Sequence, residues 1–514
     1  MDGLMQERPL LVQSIVERAE ALFGEREVVA RTADGVERTS WGELAGRARR
    51  LASALQQAGV RPGDRVATFA WNCARHLELY LAVPAMGAVL HTLNIRLFDE
   101  DLRYIVEHAG DKAIFLDASL ADLLPRVEGV ELEVVMSGDA AVREGALDYE
   151  QLLATGDPAF AFPDVPESAA AAMCYTSGTT GRPKGVVYSH RSTVLHSLVV
   201  AQVDTFAIGE RDSVLPVVPM FHANAWGIPY AAAMCGARLV LPGPRPTARE
   251  LAPLIEQERV TKAAGVPTVW QDVLQLSPPP RLESLREIVC GGAAVPEQLI
   301  SAYAERFGVT IVQAWGMTEL SPLGSVARPG VGVAPADETR VRALAGTPVP
   351  LVEARIDAAS GGELQVSGPW VAASYHRESP GEDRFTADGW LRTGDVAELE
   401  DGRYLRLVDR TKDLIKSGGE WIPSLELEQH IAAHPDVQDV AVVAVPDERW
   451  SERPCACVVV RDGAALGAAE LAAFLDGRVA AWWIPQRVEL IDEVPRTSVG
   501  KQDKKALRAR FADA

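Results

Sequence analysis

Apolar residues along this chain fall into two alternating rhythms. Ser40-Trp-Gly-Glu43 reads as a capping box, and Leu44, Ala48, Leu51 and Leu55 follow at helical spacing until Gly59. Pro62-Gly-Asp64 then turns the chain into Arg65–Ala70, a short apolar run of strand length. The same strand-then-helix unit recurs. Lys112–Asp117 precedes a helical stretch, Arg238–Leu241 precedes Thr247–Gln257, and Glu287–Cys290 precedes Val295–Arg306. Such alternation predicts an α/β fold with mostly parallel sheets. No fixed-period repeat or low-complexity tract interrupts it.

The pattern changes near residue 409. Asp401-Gly402 turns a hairpin-like stretch, and the charged run Asp409-Arg-Thr-Lys-Asp413 follows. Beyond it, Val440–Val445, Cys455–Val460 and Arg487–Ile491 read as strands, with a helix near Ala468–Val479. The expected organisation is a large domain over 1–409, a hinge at 410–412 and a small α+β domain over 413–514. A chain of 514 residues is too long for one core, which agrees with that division.

Composition narrows the function. The charged fraction is 24% and the apolar fraction 47%, so the chain is not a disordered one. A net charge of −20 lacks the basic footprint of a nucleic-acid binder and does not suit an anionic membrane surface. The longest apolar runs, Tyr80–Leu90 and Ala225–Ala237, are too short to span a bilayer and contain Pro84 and Pro229. The first residues carry acids and no apolar core of a secretory signal. The six cysteines are sparse and lie mostly in apolar runs, which reads as reduced core thiols in the cytoplasm.

The chemistry begins at Tyr175-Thr-Ser-Gly-Thr-Thr-Gly-Arg-Pro-Lys184-Gly185, directly after the apolar run Ala169–Cys174. Its glycines let backbone N–H groups approach an anion, and four hydroxyls and Lys184 add donors and charge. That set suits a polyphosphate. The G-x-x-x-x-G-K-[ST] spacing of a Walker loop is absent, which argues against a P-loop kinase.

This run resembles the phosphate loop of the adenylate-forming superfamily, which includes acyl-CoA synthetases, luciferases and nonribosomal adenylation domains. Four further segments agree in order. Gln313-Ala-Trp-Gly-Met-Thr-Glu319 resembles the Y-G-x-T-E motif, and Thr393-Gly-Asp395 the ribose-binding T-G-D. Asp409–Glu420 resembles the hinge motif, and Pro495-Arg-Thr-Ser-Val-Gly-Lys501 the catalytic-lysine motif. Leu215–Trp226 is similar to the bacterial fatty-acyl-CoA ligase branch. The implied fold is a large domain with two mostly parallel sheets and a β-barrel-like part, plus a small α+β domain on a hinge.

The resemblance implies roles residue by residue. Thr176, Ser177, Gly178, Thr179, Thr180, Gly181 and Lys184 hold the phosphates of ATP. Gly292, Ala293, Gln313, Ala314, Trp315, Gly316, Met317 and Thr318 surround the nucleotide, with Thr318 at the α-phosphate. Asp395 and Arg410 hold the ribose. Glu319, with Thr176, ligates Mg²⁺, which needs few carboxylates when phosphate oxygens are present. Trp315 stands where relatives carry Tyr; it stacks on adenine or fills the core. His222, Trp226, Gly291 and Gly292 border the acid; a core histidine and a close-packed strand turn are the competing readings of the pattern alone. Lys501, Lys184, His222, Thr318 and Glu319 form the implied catalytic set. Lys412, Lys416, Gly418, Gly419 and Trp421 serve the hinge and the coenzyme A step, with Lys412 and Lys416 also near the nucleotide.

The expected activity is therefore ATP-dependent activation of a fatty or related apolar acid, then acyl transfer to coenzyme A. Another acceptor or oxyanion, such as a carrier protein or nitrite, is the alternative. A non-catalytic sensor is disfavoured by the presence of Lys184, Glu319, Asp395, Arg410 and Lys501 together. The resemblance also admits a homodimer.

Overall fold

A computed structural model describes every residue except 2, 137–142, 177–181, 379–380, 382–383, 419, 448, 462, 465, 498–501 and 512–514. The chain forms two compact units, 1–353 with 367–385, and 354–366 with 386–514.

Two sheets organise the first unit. In one, strands Asp111–Leu116, Arg65–Phe69, Val89–Thr92 and Ala170–Tyr175 lie side by side and parallel. Gly185–Ser189 then returns antiparallel to Ala170–Tyr175 at the edge. In the other, Arg238–Leu241, Ser213–Pro216, Lys262–Gly265, Glu287–Gly291 and Thr310–Gly316 are parallel. Leu323–Val326 adds antiparallel to Thr310–Gly316.

The expected strand-then-helix units are present. Ser40 and Glu43 form the capping box of helix Trp41–Gln57, and Leu44, Ala48, Leu51 and Leu55 are buried along one stripe. Helix Ala248–Gln257 starts on a second capping box, Thr247 with Glu250. Leu251, Leu254 and Ile255 from that helix pack with Ile288, Ile311, Leu299 and Tyr303 in one core. Leu102, Ile105 and Val106 of helix Asp99–Ala109 pack with Phe69, Ile114 and Leu116 in another.

The second unit also holds two sheets. Glu353–Asp357, Glu363–Ser367, Leu391–Glu400 and Tyr404–Arg410 follow in sequence order, the last pairs antiparallel. Asp401 and Gly402 turn the hairpin between the last two, both at positive φ. This open four-stranded sheet stands where a barrel-like part is expected; among the described residues its first and last strands do not pair. The second sheet has Ser451–Val460 at its centre, with Val437–Asp447 antiparallel to it and Arg487–Leu490 parallel to it. The segment 410–412 falls inside this unit, from the last residue of strand Tyr404–Arg410 toward strand Ile415–Ser417.

No helix among the described residues is long and apolar enough to cross a membrane. All six cysteines are free thiols, and Cys174, Cys290, Cys455 and Cys457 are buried.

Candidate active site

The phosphate-loop segment is the turn of a β-hairpin. Strands Ala170–Tyr175 and Gly185–Ser189 pair from Ala170↔Ser189 to Tyr175↔Gly185. One step further, Thr176 N–H donates to the Lys184 carbonyl at 2.9 Å, and Lys184 N–H donates to Thr176 Oγ1 at 3.1 Å. The Thr176 hydroxyl and Lys184 therefore clamp the mouth of the loop. Ser177, Gly178, Thr179, Thr180 and Gly181 lie outside the described residues.

Lys184 Nζ reaches Glu378 at 2.7 Å and sits 4.8 Å above the centre of the Tyr375 ring. The Tyr375 hydroxyl donates to Glu319 Oε1 at 2.7 Å, and Arg384 Nη2 donates to the same oxygen at 3.1 Å. Arg384 Nε also donates to the Tyr375 hydroxyl at 3.1 Å, closing a triangle. Glu319 is 4% exposed, so its carboxylate depends on these partners rather than on water. Burial and the Glu319 charge hold the Tyr375 phenol well above its ordinary value, so it stays a donor. Tyr188 Oη donates to the Thr318 carbonyl at 2.7 Å, which ties the edge strand of one sheet to the Thr318-Glu319 turn.

The wall behind this turn is built from small residues. A Cβ at Gly291 would lie 2.5 Å from the Ala314 carbonyl oxygen and 3.3 Å from Trp226 Cη2. Gly291 is therefore required by close packing, and Trp226 does border it. Gly292, at φ +83°, and Ala293 are exposed. Gln313 is committed through its Oε1, which accepts from Val295 N–H at 2.7 Å and fixes the end of that loop. Trp315 is buried, and its ring crosses Gly324 on the neighbouring strand, where a Cβ would lie 2.5 Å from Trp315 Cζ3. Gly316 passes so near Pro322 that a Cβ would lie 2.0 Å from its carbonyl oxygen, and Met317 N–H donates to that oxygen.

His222 and Trp226 sit at a turn that spacing does not reveal. Ala223, Asn224, Ala225 and Trp226 have φ between 41° and 57°, and Gly227 has φ 74°. The segment is a left-handed turn, which disfavours L-residues by roughly 1–2 kcal/mol each. Packing holds it: Trp226 lies against Phe206, and Gly227 against the imidazole of His196. His222 is half-buried at the start of this turn.

In the second unit, Asp395 and Arg410 face each other across adjacent strands, with Arg410 Nε 2.6 Å from Asp395 Oδ1. Asp409 beside them accepts from Ser424 N–H and, at 2.7 Å, from the Ser424 hydroxyl. Lys504 Nζ reaches Glu428 at 2.6 Å and the same Ser424 hydroxyl at 2.7 Å. Arg508 bonds Asp413 and the Lys412 carbonyl. Helix Lys504–Phe511 is thus fastened to the segment around 409–413. Lys501 lies outside the described residues, but the chain on both sides is anchored. Arg496 pairs with Asp439 at 2.6 Å, and Gln502 donates to the Val440 carbonyl at 2.8 Å. Lys416 and Trp421 are cross-strand partners, with Lys416 Nζ 5.6 Å from the centre of the indole ring, and Trp421 is 52% exposed. Gly418 turns their hairpin at φ +62°, and Gly419 lies outside the described residues.

Residues 16–376 match the AMP-binding enzyme family, and residues 426–501 match the AMP-binding enzyme C-terminal domain. The chain belongs to the AMP-binding enzyme family. This AMP-binding enzyme is 45% identical to a 3-methylmercaptopropionyl-CoA ligase of Ruegeria pomeroyi, covering 100% of this chain and 99% of the relative. It is 43% identical to a medium-chain-fatty-acid–CoA ligase of Ectopseudomonas oleovorans, covering 100% and 98%. A long-chain-fatty-acid–CoA ligase of Thermus thermophilus is 45% identical over 99% of this chain and 96% of its own. Among solved structures, ATP-bound MatB from Rhodopseudomonas palustris superposes with a TM-score of 0.86 at 27% identity, covering 98% and 99%.

Tyr375, Glu378 and Arg384 are the site residues that sequence motifs did not single out in this AMP-binding enzyme. They come from one segment, 375–384, which has no periodic pattern and no glycine-rich signature of its own.

Proposed function

We propose that this AMP-binding enzyme is an ATP-dependent acid–thiol ligase that adenylates an unbranched apolar carboxylic acid and transfers the acyl group to coenzyme A. The observation that carries the reading is the cluster Lys184–Tyr375–Glu319 at the mouth of the glycine-rich hairpin. It sits in a chain whose relatives at 43–45% identity are CoA ligases.

A carboxylate cannot expel oxide, so the acid must first acquire a leaving group. Its oxygen attacks the α-phosphorus of ATP, the bond to the bridging oxygen of pyrophosphate breaks, and acyl-AMP forms. The thiol then attacks the acyl carbon and AMP leaves. Catalysis is mostly positioning and charge stabilisation. Lys184 leaves Glu378 for the β- and γ-phosphates, guided by the hydroxyls of 176–180. Glu319 with Thr176 would hold Mg²⁺, and a single carboxyl group among hard oxygen donors fits that ion. The ion supplies charge neutralisation on the phosphates. Thr318 and Lys501 meet the α-phosphate, with Lys501 also bridging to the acid. Asp395 accepts from the ribose hydroxyls, oriented by Arg410. His222 and Trp226 border the acid along the glycine wall at Gly291 and Gly292. For the second step the segment around Lys412 rotates, Lys501 withdraws, and Lys416, Gly418, Gly419 and Trp421 line the thiol's approach.

The relatives named above are ligases for 3-methylmercaptopropionyl, medium-chain and long-chain fatty acyl groups, and a linear apolar acid is the reading they support. Acid-dependent exchange of pyrophosphate into ATP, measured over linear acids, 3-(methylthio)propionate, aryl acids and nitrite, tests the reading. Linear acids should support exchange, with coenzyme A consumption to match. Exchange with aryl acids or nitrite alone, or exchange without thioester formation, would overturn it.

A further inference from the structure

Arg384 and Tyr375 together occupy one of the two carboxylate oxygens with which Glu319 would hold a metal. Its Nη2 lies 3.1 Å from Glu319 Oε1, the Tyr375 hydroxyl donates to that oxygen at 2.7 Å, and Arg384 Nε braces the hydroxyl at 3.1 Å. A buried carboxylate with no counter-charge is expelled toward water or protonated. This one has a counter-charge built in, delivered from 65 positions along the chain.

We propose that Arg384 is a resident counter-cation. It keeps the Glu319 carboxylate ordered in the metal-free enzyme, and it must leave Oε1 before a divalent cation coordinates there. The inference rests on Glu319 being the metal carboxylate. A bare divalent ion has to displace a guanidinium and gains one carboxylate. An ion arriving on a polyphosphate brings a second anion to which the guanidinium can move. Arg384 therefore makes metal capture conditional on nucleotide, as a positioning residue acting through Glu319.

The test is equilibrium binding of Mn²⁺ alone to the full chain, without ATP or acid, read from the electron paramagnetic resonance of the free ion. Glu319→Gln in each background subtracts ions held elsewhere, for instance by His434, Asp436 and Glu470, whose ligand atoms lie within 4.8 Å of one another. Arg384→Ala should bind Mn²⁺ about tenfold more tightly than the unmodified chain, the factor that one charge-assisted hydrogen bond is worth. Arg384→Lys should fall between, and Arg384→Ala should lower the thermal midpoint of the metal-free protein with recovery on Mn²⁺. Binding by Arg384→Ala that is unchanged or weaker would overturn the inference while leaving Glu319 as a ligand. Tightened binding that survives Glu319→Gln would instead show that the metal sits elsewhere, and the reading of Glu319 would fall with it. Should Arg384→Ala not fold, Tyr375→Phe loosens the same triangle; a gain in Mn²⁺ affinity supports the inference, and none opposes it.

Discussion

Buried imidazoles set local requirements that reach the active site. His196 accepts from Leu323 N–H through Nε2 at 3.2 Å, and its Nδ1 edge faces Gly227 so closely that a Cβ there would lie 2.6 Å away. It therefore joins the left-handed turn of Trp226 to the strand that follows Thr318-Glu319. Burial pushes His196 down to about 3, so it stays neutral in the folded protein. Below pH 6.5 the unfolded chain takes up a proton that the folded chain refuses, and stability is lost as pH falls. At pH 5 the loss is about 2 kcal/mol for this residue. His196→Gln should be less stable than the unmodified chain at pH 7, and its deficit should shrink by that amount at pH 5 in urea titrations. A deficit equal at both pH values would contradict a neutral buried imidazole.

Single residues also show where sequence reading stops. The phosphate-loop, Thr318-Glu319 and Asp395 motifs are contiguous, so their chemistry is written locally. Asp395 does face Arg410, because hairpin register places them opposite each other. Tyr375 and Arg384 reach Glu319 only through tertiary packing, which no local pattern encodes. His222 and Trp226 lie four apart in an apolar run, and nothing in that spacing announces the left-handed backbone at 223–227. The sequence also does not show that the Gln313 amide oxygen holds Val295 N–H.

At the scale of elements, the parallel strands and their covering helices follow from apolar rhythm and capping chemistry. Ser40 with Glu43 and Thr247 with Glu250 start helices where the sequence places them. The sequence does not show that the phosphate loop closes an antiparallel hairpin, because a glycine-rich loop leaving a strand can lead to helix or strand alike. The C-terminal helix Lys504–Phe511 carries the opposite lesson. Lys504 lies in a run that reads as a solvated charged face, yet it is buried between Glu428 and Asp409, whose charges keep it protonated against the cost of burial. Burial pushes the Glu428 and Asp409 carboxyls up from their ordinary values. Lys504→Met should cost about 3–5 kcal/mol by stranding those acids. Because their folded-state values are raised, the folded variant gains protons more readily than its unfolded chain, so it should be more stable at pH 5.5 than at pH 8. Thermal melts at the two pH values check this; a variant as stable as the parent would show that the brace carries no load.

At the scale of the whole molecule, the proposed reaction divides into two chemical steps with different needs. Adenylation needs an ammonium at the α-phosphate, and thioester formation needs that ammonium gone. Lys501 falls in sequence between the anchored residues Arg496 and Gln502. The helix behind it is fastened beside Lys412 by Arg508. A turn at Lys412 would therefore carry helix Lys504–Phe511 with it, and Lys501 precedes that helix by three residues. Lys412→Pro restricts that turn by fixing φ; it should spare adenylation and slow thioester formation.

The most direct measurement follows the two steps separately in Lys501→Ala. Acid-dependent exchange of pyrophosphate into ATP reports the first step, and conversion of supplied acyl-AMP and coenzyme A to thioester reports the second. The variant should lose about 10²–10³-fold in exchange, the usual cost of one preorganised charge donor, and keep thioester formation within a few-fold of the parent. Exchange that survives intact, or equal loss of both steps, would contradict the account.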